Sequence, residues 1–229
     1  MVMINSICIF GDSVAKGVVF DAVKNRYGLL KESFANLVEK QQNIAISNYA
    51  KFGCTISMGS NILSRHEKNL GLFDYTILEF GGNDCDFNWA EIAMDPTKQH
   101  LSNTPINQFR EQYIALIERV RLNGGNPVLL SLPPIDSKRY FAWVSKGLNA
   151  KNILSYLGDV NRIHTWQGMY SAVINELAAV CKVPLIDIRS TFLEQQNYCD
   201  FLCEDGIHPN SKGHILISKA INKQVPVLG

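Results

Sequence analysis

The stretch Ser6-Ile7-Cys8-Ile9-Phe10-Gly11-Asp12-Ser13 runs from an unbroken apolar segment straight into a glycine, an acid and a serine. A half-exposed strand alternates apolar and polar residues. A run that is apolar at every position is that of a strand covered on both faces, the habit of parallel sheets. Four more runs are near-continuously apolar in the same way, rather than alternating: Asn43–Asn48, Tyr75–Phe80, Pro127–Leu132 and Pro184–Ile188.

Helical periodicity lies between these runs. Leu30, Phe34, Leu37 and Val38 repeat at helical spacing. Thr104-Pro105 reads as a cap followed by a first-position proline, opening what is expected to be the longest helix. Its apolar stripe is Ile106, Phe109, Tyr113, Ile117 and Val120, and Gly124-Gly125 ends it. Trp166, Tyr170, Val173, Ile174 and Leu177 mark another helix, and Ile215, Leu216 and Ile217 a last one after Pro209-Asn210. Strands alternating with helices build βαβ units. The expectation is an α/β fold, a flavodoxin-like three-layer α/β/α sandwich on a five-stranded parallel sheet, forming a single domain over residues 1–229. Ligands of such sheets sit beyond the carboxyl ends of the strands. Residues 136–166 are the least regular and read as an insertion near that edge.

Hydrophobic residues make up 46% of the 229 and charged residues 19%, with a formal net charge of +1. No basic stripe points to nucleic acid or an anionic membrane as partner. No apolar run approaches the about 20 residues that span a bilayer. The start, Met-Val-Met-Ile-Asn-Ser, lacks the features of an export signal, so a cytoplasmic location is expected. The six cysteines, Cys8, Cys54, Cys85, Cys181, Cys199 and Cys203, do not have zinc-site spacing. Cys8 and Cys181 read as buried thiols. Cys199 and Cys203 fit either a disulfide or two free thiols, the latter favoured in a reducing compartment. Asp84, Asp86 and His66 lack metal-ligand spacing, and no glycine-rich phosphate loop is present, so neither a metal nor a cofactor is expected.

Four motifs fall at the ends of different strands. Gly11 and Asp12 lead into Ser13, which opens a loop or helix where backbone N–H groups face developing negative charge. A serine nucleophile needs that exposure and a base to take its proton. Gly53 closes Asn48-Tyr49-Ala50-Lys51-Phe52-Gly53, where its N–H can approach a substrate oxygen. Asn83, within Gly81-Gly82-Asn83-Asp84, offers an uncharged amide donor suited to an oxyanion. In Asp205-Gly206-Ile207-His208-Pro209 the carboxylate can fold back onto the ring, taking Nδ1–H and turning Nε2 toward the serine. Each motif alone is most simply a turn, a cap or a lone loop histidine. Together they supply a nucleophile, oxyanion donors and an oriented base at one sheet edge.

The chain thereby resembles the SGNH hydrolases, also called the GDSL esterase/lipase family, named for a serine, glycine, asparagine and histidine in four blocks. The resemblance covers nearly the whole chain. It implies the same three-layer fold, Ser13 as nucleophile, Asp205 and His208 as acid and base, and an oxyanion hole of Ser13, Gly53 and Asn83. Val14 stands where the family's shorthand has leucine, a position without a part in proton transfer. The pentapeptide Gly-x-Ser-x-Gly of the larger α/β-hydrolase family is absent.

The expected activity is hydrolysis of a small-molecule ester of a small acyl group, an acetyl ester among the candidates. An acyltransferase on the same site and a non-catalytic flavodoxin-like binding protein are the alternatives. Tyr140, Phe141, Trp143, Tyr156 and Trp166 fit either a pocket wall or the small core of the insertion, the latter favoured because aromatic residues bury readily.

Overall fold

A computed structural model describes residues 4–228, with side chains through Gln224. The strands are β1 (Ser6–Gly11), β2 (Val18–Asp21), β3 (Arg26–Leu29), β4 (Ala45–Asn48), β5 (Tyr75–Glu79), β6 (Pro127–Leu130) and β7 (Leu185–Ile186). The helices are α1 (Ser13–Lys16), α2 (Phe34–Gln42), α3 (Ile56–Ser64), α4 (Trp89–Met94), α5 (Ile106–Leu122), α6 (Ser137–Val144), α7 (Ala150–Leu157), α8 (Arg162–Val180), α9 (Ile188–Leu193) and α10 (Ser211–Leu228).

β4, β1, β5, β6 and β7 form a parallel sheet in that order, the flavodoxin-like arrangement expected. Successive side chains of a strand point to opposite faces, so each strand feeds two cores. On β1, Cys8 and Phe10 join Leu78, Leu129 and the inner faces of α5 and α8. Ile7 and Ile9 join Ile77, Val128 and residues of α2, α9 and α10 on the other face. Coverage of both faces is what makes the strands apolar throughout.

Several expectations are corrected. Leu30 is not helical: residues 18–29 form an antiparallel hairpin of β2 and β3, and α2 begins at Phe34 behind the cap Ser33. The sheet strands are shorter than their apolar runs. Asn43 caps α2 in the left-handed region, and Ile188 already starts α9. Pro105 takes the cap position of α5, while Thr104 turns its hydroxyl to Asp84 at 2.6 Å. The longest helix of the core is α8, at 19 residues against 17 for α5. Residues 136–166 are largely helical, forming α6, α7 and the start of α8. Their apolar residues make a third core with Trp89, Ile92 and Ile135. All six thiols are free, and Cys181 is only partly buried, at the carboxyl end of α8. No helix among the described residues is long and apolar enough to cross a membrane.

Candidate active site

The carboxyl ends of β1, β4 and β5 bring three of the motifs together. The fourth, Asp205–His208, is not at a strand end as expected but in the loop before α10, separated from β7 by α9 and a 3-10 turn over Tyr198–Phe201. Asp12 caps α1 by accepting the Val14 N–H at 2.8 Å, which sets Ser13 at the first position of that helix. His208 Nε2 lies 2.9 Å from Ser13 Oγ, and His208 Nδ1 lies 2.6 Å from Asp205 Oδ2. With Nδ1–H given to the carboxylate, Nε2 is left to accept the serine proton.

Asp205 is fully buried, and its second oxygen accepts the Ile207 and His208 N–H groups, each at 3.1 Å. Burial alone would raise the carboxyl. The hydrogen bond and charge of His208 and these two N–H groups outweigh it and hold Asp205 below the usual carboxylate range. The tight fold-back depends on Gly206, whose φ of +77° suits glycine. A Cβ there would stand 2.7 Å from Tyr140 N.

Asn83 donates its Nδ2 to Asp12 Oδ2 at 3.0 Å, leaving its second amide hydrogen unused by that bond. Gly53 lines the same cavity as Ser13, Asn83 and His208. The N–H groups of Ser13 and Gly53 make no hydrogen bond to the described residues. Three donors thus border the serine, the composition of an oxyanion-binding site.

The cavity in front of Ser13 has a volume of about 490 Å³ and is walled mostly by carbon. Tyr140, Tyr156 and Trp166 line it, so part of the aromatic cluster serves as wall as well as core. Their polar ends are bonded elsewhere: Trp166 Nε1 to the Cys85 carbonyl, the Tyr156 hydroxyl to the His100 carbonyl, and the Tyr140 hydroxyl to Asp86. Trp143 instead packs on Phe20 of the hairpin.

The hairpin contributes what the sequence did not signal. Tyr27 meets the His208 ring edge-on at 5.2 Å, and Phe52 stacks on it at 6.0 Å. Both line the cavity and pack on each other at 5.2 Å, so the imidazole is bordered by a pair of touching aromatic rings. Asp84, Asp86 and His66 are engaged separately. Asp84 caps α3 through the Ile56 N–H, Asp86 accepts from Trp89 and Tyr140, and His66 stacks on Tyr49. No cluster of three or more potential metal ligands occurs among the described residues.

Residues 9–216 match the profile of the GDSL-like lipase/acylhydrolase family. No curated protein matches the chain. Among solved structures, it is similar to the lipase/acylhydrolase from Enterococcus faecalis, with 21% identity over 96% of this chain and 95% of that one and a TM-score of 0.69. It is similar to a member of the lipolytic protein G-D-S-L family from Veillonella parvula, with 15% identity over 96% and 98% and a TM-score of 0.63. An acetylxylan esterase from Geobacillus stearothermophilus, crystallised as a catalytic mutant, gives 14% identity over 96% and 93% and a TM-score of 0.64. At these identities the structural likeness is one of fold. The profile match takes in all four motifs, and the chain belongs to the GDSL-like lipase/acylhydrolase family.

Proposed function

We propose that the protein is a serine esterase that hydrolyses a small-molecule acyl ester through an acyl-enzyme on Ser13. The observation that carries this reading is the continuous hydrogen-bonded line Ser13–His208–Asp205, at 2.9 and 2.6 Å, opening on a mostly apolar cavity. Ser13 Oγ attacks the ester carbonyl as His208 Nε2 takes its proton. The carbonyl oxygen, now an oxyanion, accepts from the Ser13 and Gly53 N–H groups and the Asn83 amide. His208 returns the proton to the leaving alkoxide, which departs as the alcohol. A water then attacks the acyl-enzyme while His208 takes its proton. The proton passes to Ser13 Oγ as the carboxylic acid is released. Asp205 stays ionised throughout and stabilises the imidazolium.

The cavity is larger than an acetyl group needs, and its carbon-rich wall favours a longer acyl chain. The test is hydrolysis of p-nitrophenyl acetate, butyrate and octanoate by the wild type and by a folded Ser13→Ala variant. Turnover by the wild type that falls to background in the variant supports the reading; equal rates in both proteins refute it.

A further inference from the structure

A second pair of acids lies beneath the Ser13 turn, unused by the acyl-transfer chemistry. Glu79, the last residue of β5, is 0% exposed, and Asp12 is 1% exposed. Glu79 Oε2 accepts the N–H groups of Asp12 and Ala15, each at 3.2 Å, so one oxygen braces the backbone on both sides of Ser13. Gly11 makes room for it: a Cβ there would stand 2.9 Å from that oxygen. Asp12 accepts the Val14 N–H through Oδ1 and the Asn83 amide through Oδ2.

The two carboxyls lie side by side under the turn, with Glu79 Oε2 3.2 Å from the Asp12 backbone N, and both are out of reach of solvent. Two buried carboxylates side by side do not both ionise, and one proton stays between them. Each Asp12 oxygen meets a donor. Glu79 Oε1 is buried and meets none among the described residues, which places the proton on the glutamate. Burial, then the charge of Asp12, push the Glu79 carboxyl well above its ordinary range. Cys54, Asp84 and Tyr113 also face the pair, Lys51 lies toward Cys54, and His208 lies toward Asp12. Among the described residues no lysine or arginine forms a salt bridge with Glu79 to favour a second ionisation.

Resting on the acyl-transfer reading above, we propose that Glu79 is a positioning residue of the site. Protonated and bonded to Asp12, it fixes the backbone around Ser13 and, through Asp12, aims the Asn83 amide at the developing oxyanion. The proton also keeps a second negative charge away from the place where the oxyanion forms.

Carbon NMR of protein labelled at the glutamate carboxyl carbons reads Glu79 directly. The expected result is one protonated glutamate at pH 7, absent from the spectrum of Glu79→Gln. An ionised Glu79 at that pH overturns the proposal, whether or not the protein turns over esters. In kinetics, Glu79→Ala loses about 10²-fold in kcat with KM near the wild-type value, the scale of a misplaced reacting group. Glu79→Gln can accept the same N–H groups and donate to Asp12. It recovers most of that loss and keeps its rate to higher pH than the wild type. Equal losses in the two variants, or undiminished kcat in a folded Glu79→Ala protein, overturn the proposal. Wild-type activity in Ser13→Ala removes the esterase reading alone and leaves the NMR result to decide the protonation of Glu79.

Discussion

Asn83 Nδ2 donates to Asp12 Oδ2 at 3.0 Å, tying the loop after β5 to the turn that carries Ser13. The bond orients the amide and uses one of its two hydrogens. The other remains for a substrate oxygen. Asn83→Ala removes the donor at a half-buried position, so the core stays intact. We expect kcat to fall about 10²–10³-fold with KM little changed. Steady-state kinetics beside a thermal melt checks this, and an unchanged kcat in a folded variant takes Asn83 out of the site.

Gly206 holds the Asp205–His208 turn. A side chain at φ +77° is strained, and a Cβ there also meets Tyr140 N, Arg139 Cβ and the Asp136 carbonyl, all within 2.8 Å. Gly206→Ala is expected to cost about 1–3 kcal/mol of stability from backbone strain alone. It should also lower kcat by displacing the imidazole. Urea unfolding midpoints and initial rates measure the two effects, and a variant matching the wild type in both contradicts the strain.

His214 makes stability depend on acidity. Its ring is buried, Nδ1 accepts the Phe34 N–H at 3.2 Å, and Nε2 meets no partner among the described residues. Burial first, and the His208 charge second, push its pKa from 6.5 to about 4. The unfolded chain therefore binds a proton that the folded chain refuses. Stability is complete above pH 6.5 and is lost as pH falls toward 4, by about 3 kcal/mol. Asp84, raised by burial to about 6, slopes the opposite way over part of that window. The comparison of wild type with His214→Asn isolates the histidine. Urea midpoints from pH 7 to 4 should decline less steeply in the variant; parallel declines would assign the acid sensitivity elsewhere.

The cavity wall sets the acyl preference. A buried methylene contributes about 0.8 kcal/mol, roughly fourfold in affinity. With a volume of about 490 Å³ and rings whose polar ends are bonded away, the pocket should gain with chain length. We expect kcat/KM to rise from acetate to butyrate, and the octanoate value locates the end of the pocket. A steady fall from acetate upward contradicts an acyl chain in this cavity.

The five sheet strands were legible because both faces are covered, which makes their runs near-continuously apolar rather than alternating. The placement of Ser13, Gly53, Asn83, Asp205 and His208 was legible because short motifs sit directly beyond strands or fold back within a few residues. The β2–β3 hairpin was not, since Asp21, Lys24 and Arg26 interrupt its alternation and most of β3 is exposed. Its Tyr27 reaches His208 only through tertiary packing. α6 and α7, at eight residues each, are too short for periodicity to stand out. Glu79 passed unremarked inside the Tyr75–Phe80 run, although an acid in a strand buried on both faces is itself a signal. The aromatic cluster was read as core or wall, and it is both, because helices folded over the sheet edge bury one side of their rings and turn the other to the cavity.

Whether Ser13 is a nucleophile is tested most directly by covalent labelling with an alkyl fluorophosphonate, read by intact mass and peptide mapping. The expected result is one adduct per chain, on Ser13, formed alongside loss of ester hydrolysis and absent from Ser13→Ala. An unlabelled wild-type protein, or a label that persists in Ser13→Ala, contradicts a Ser13 acyl-enzyme.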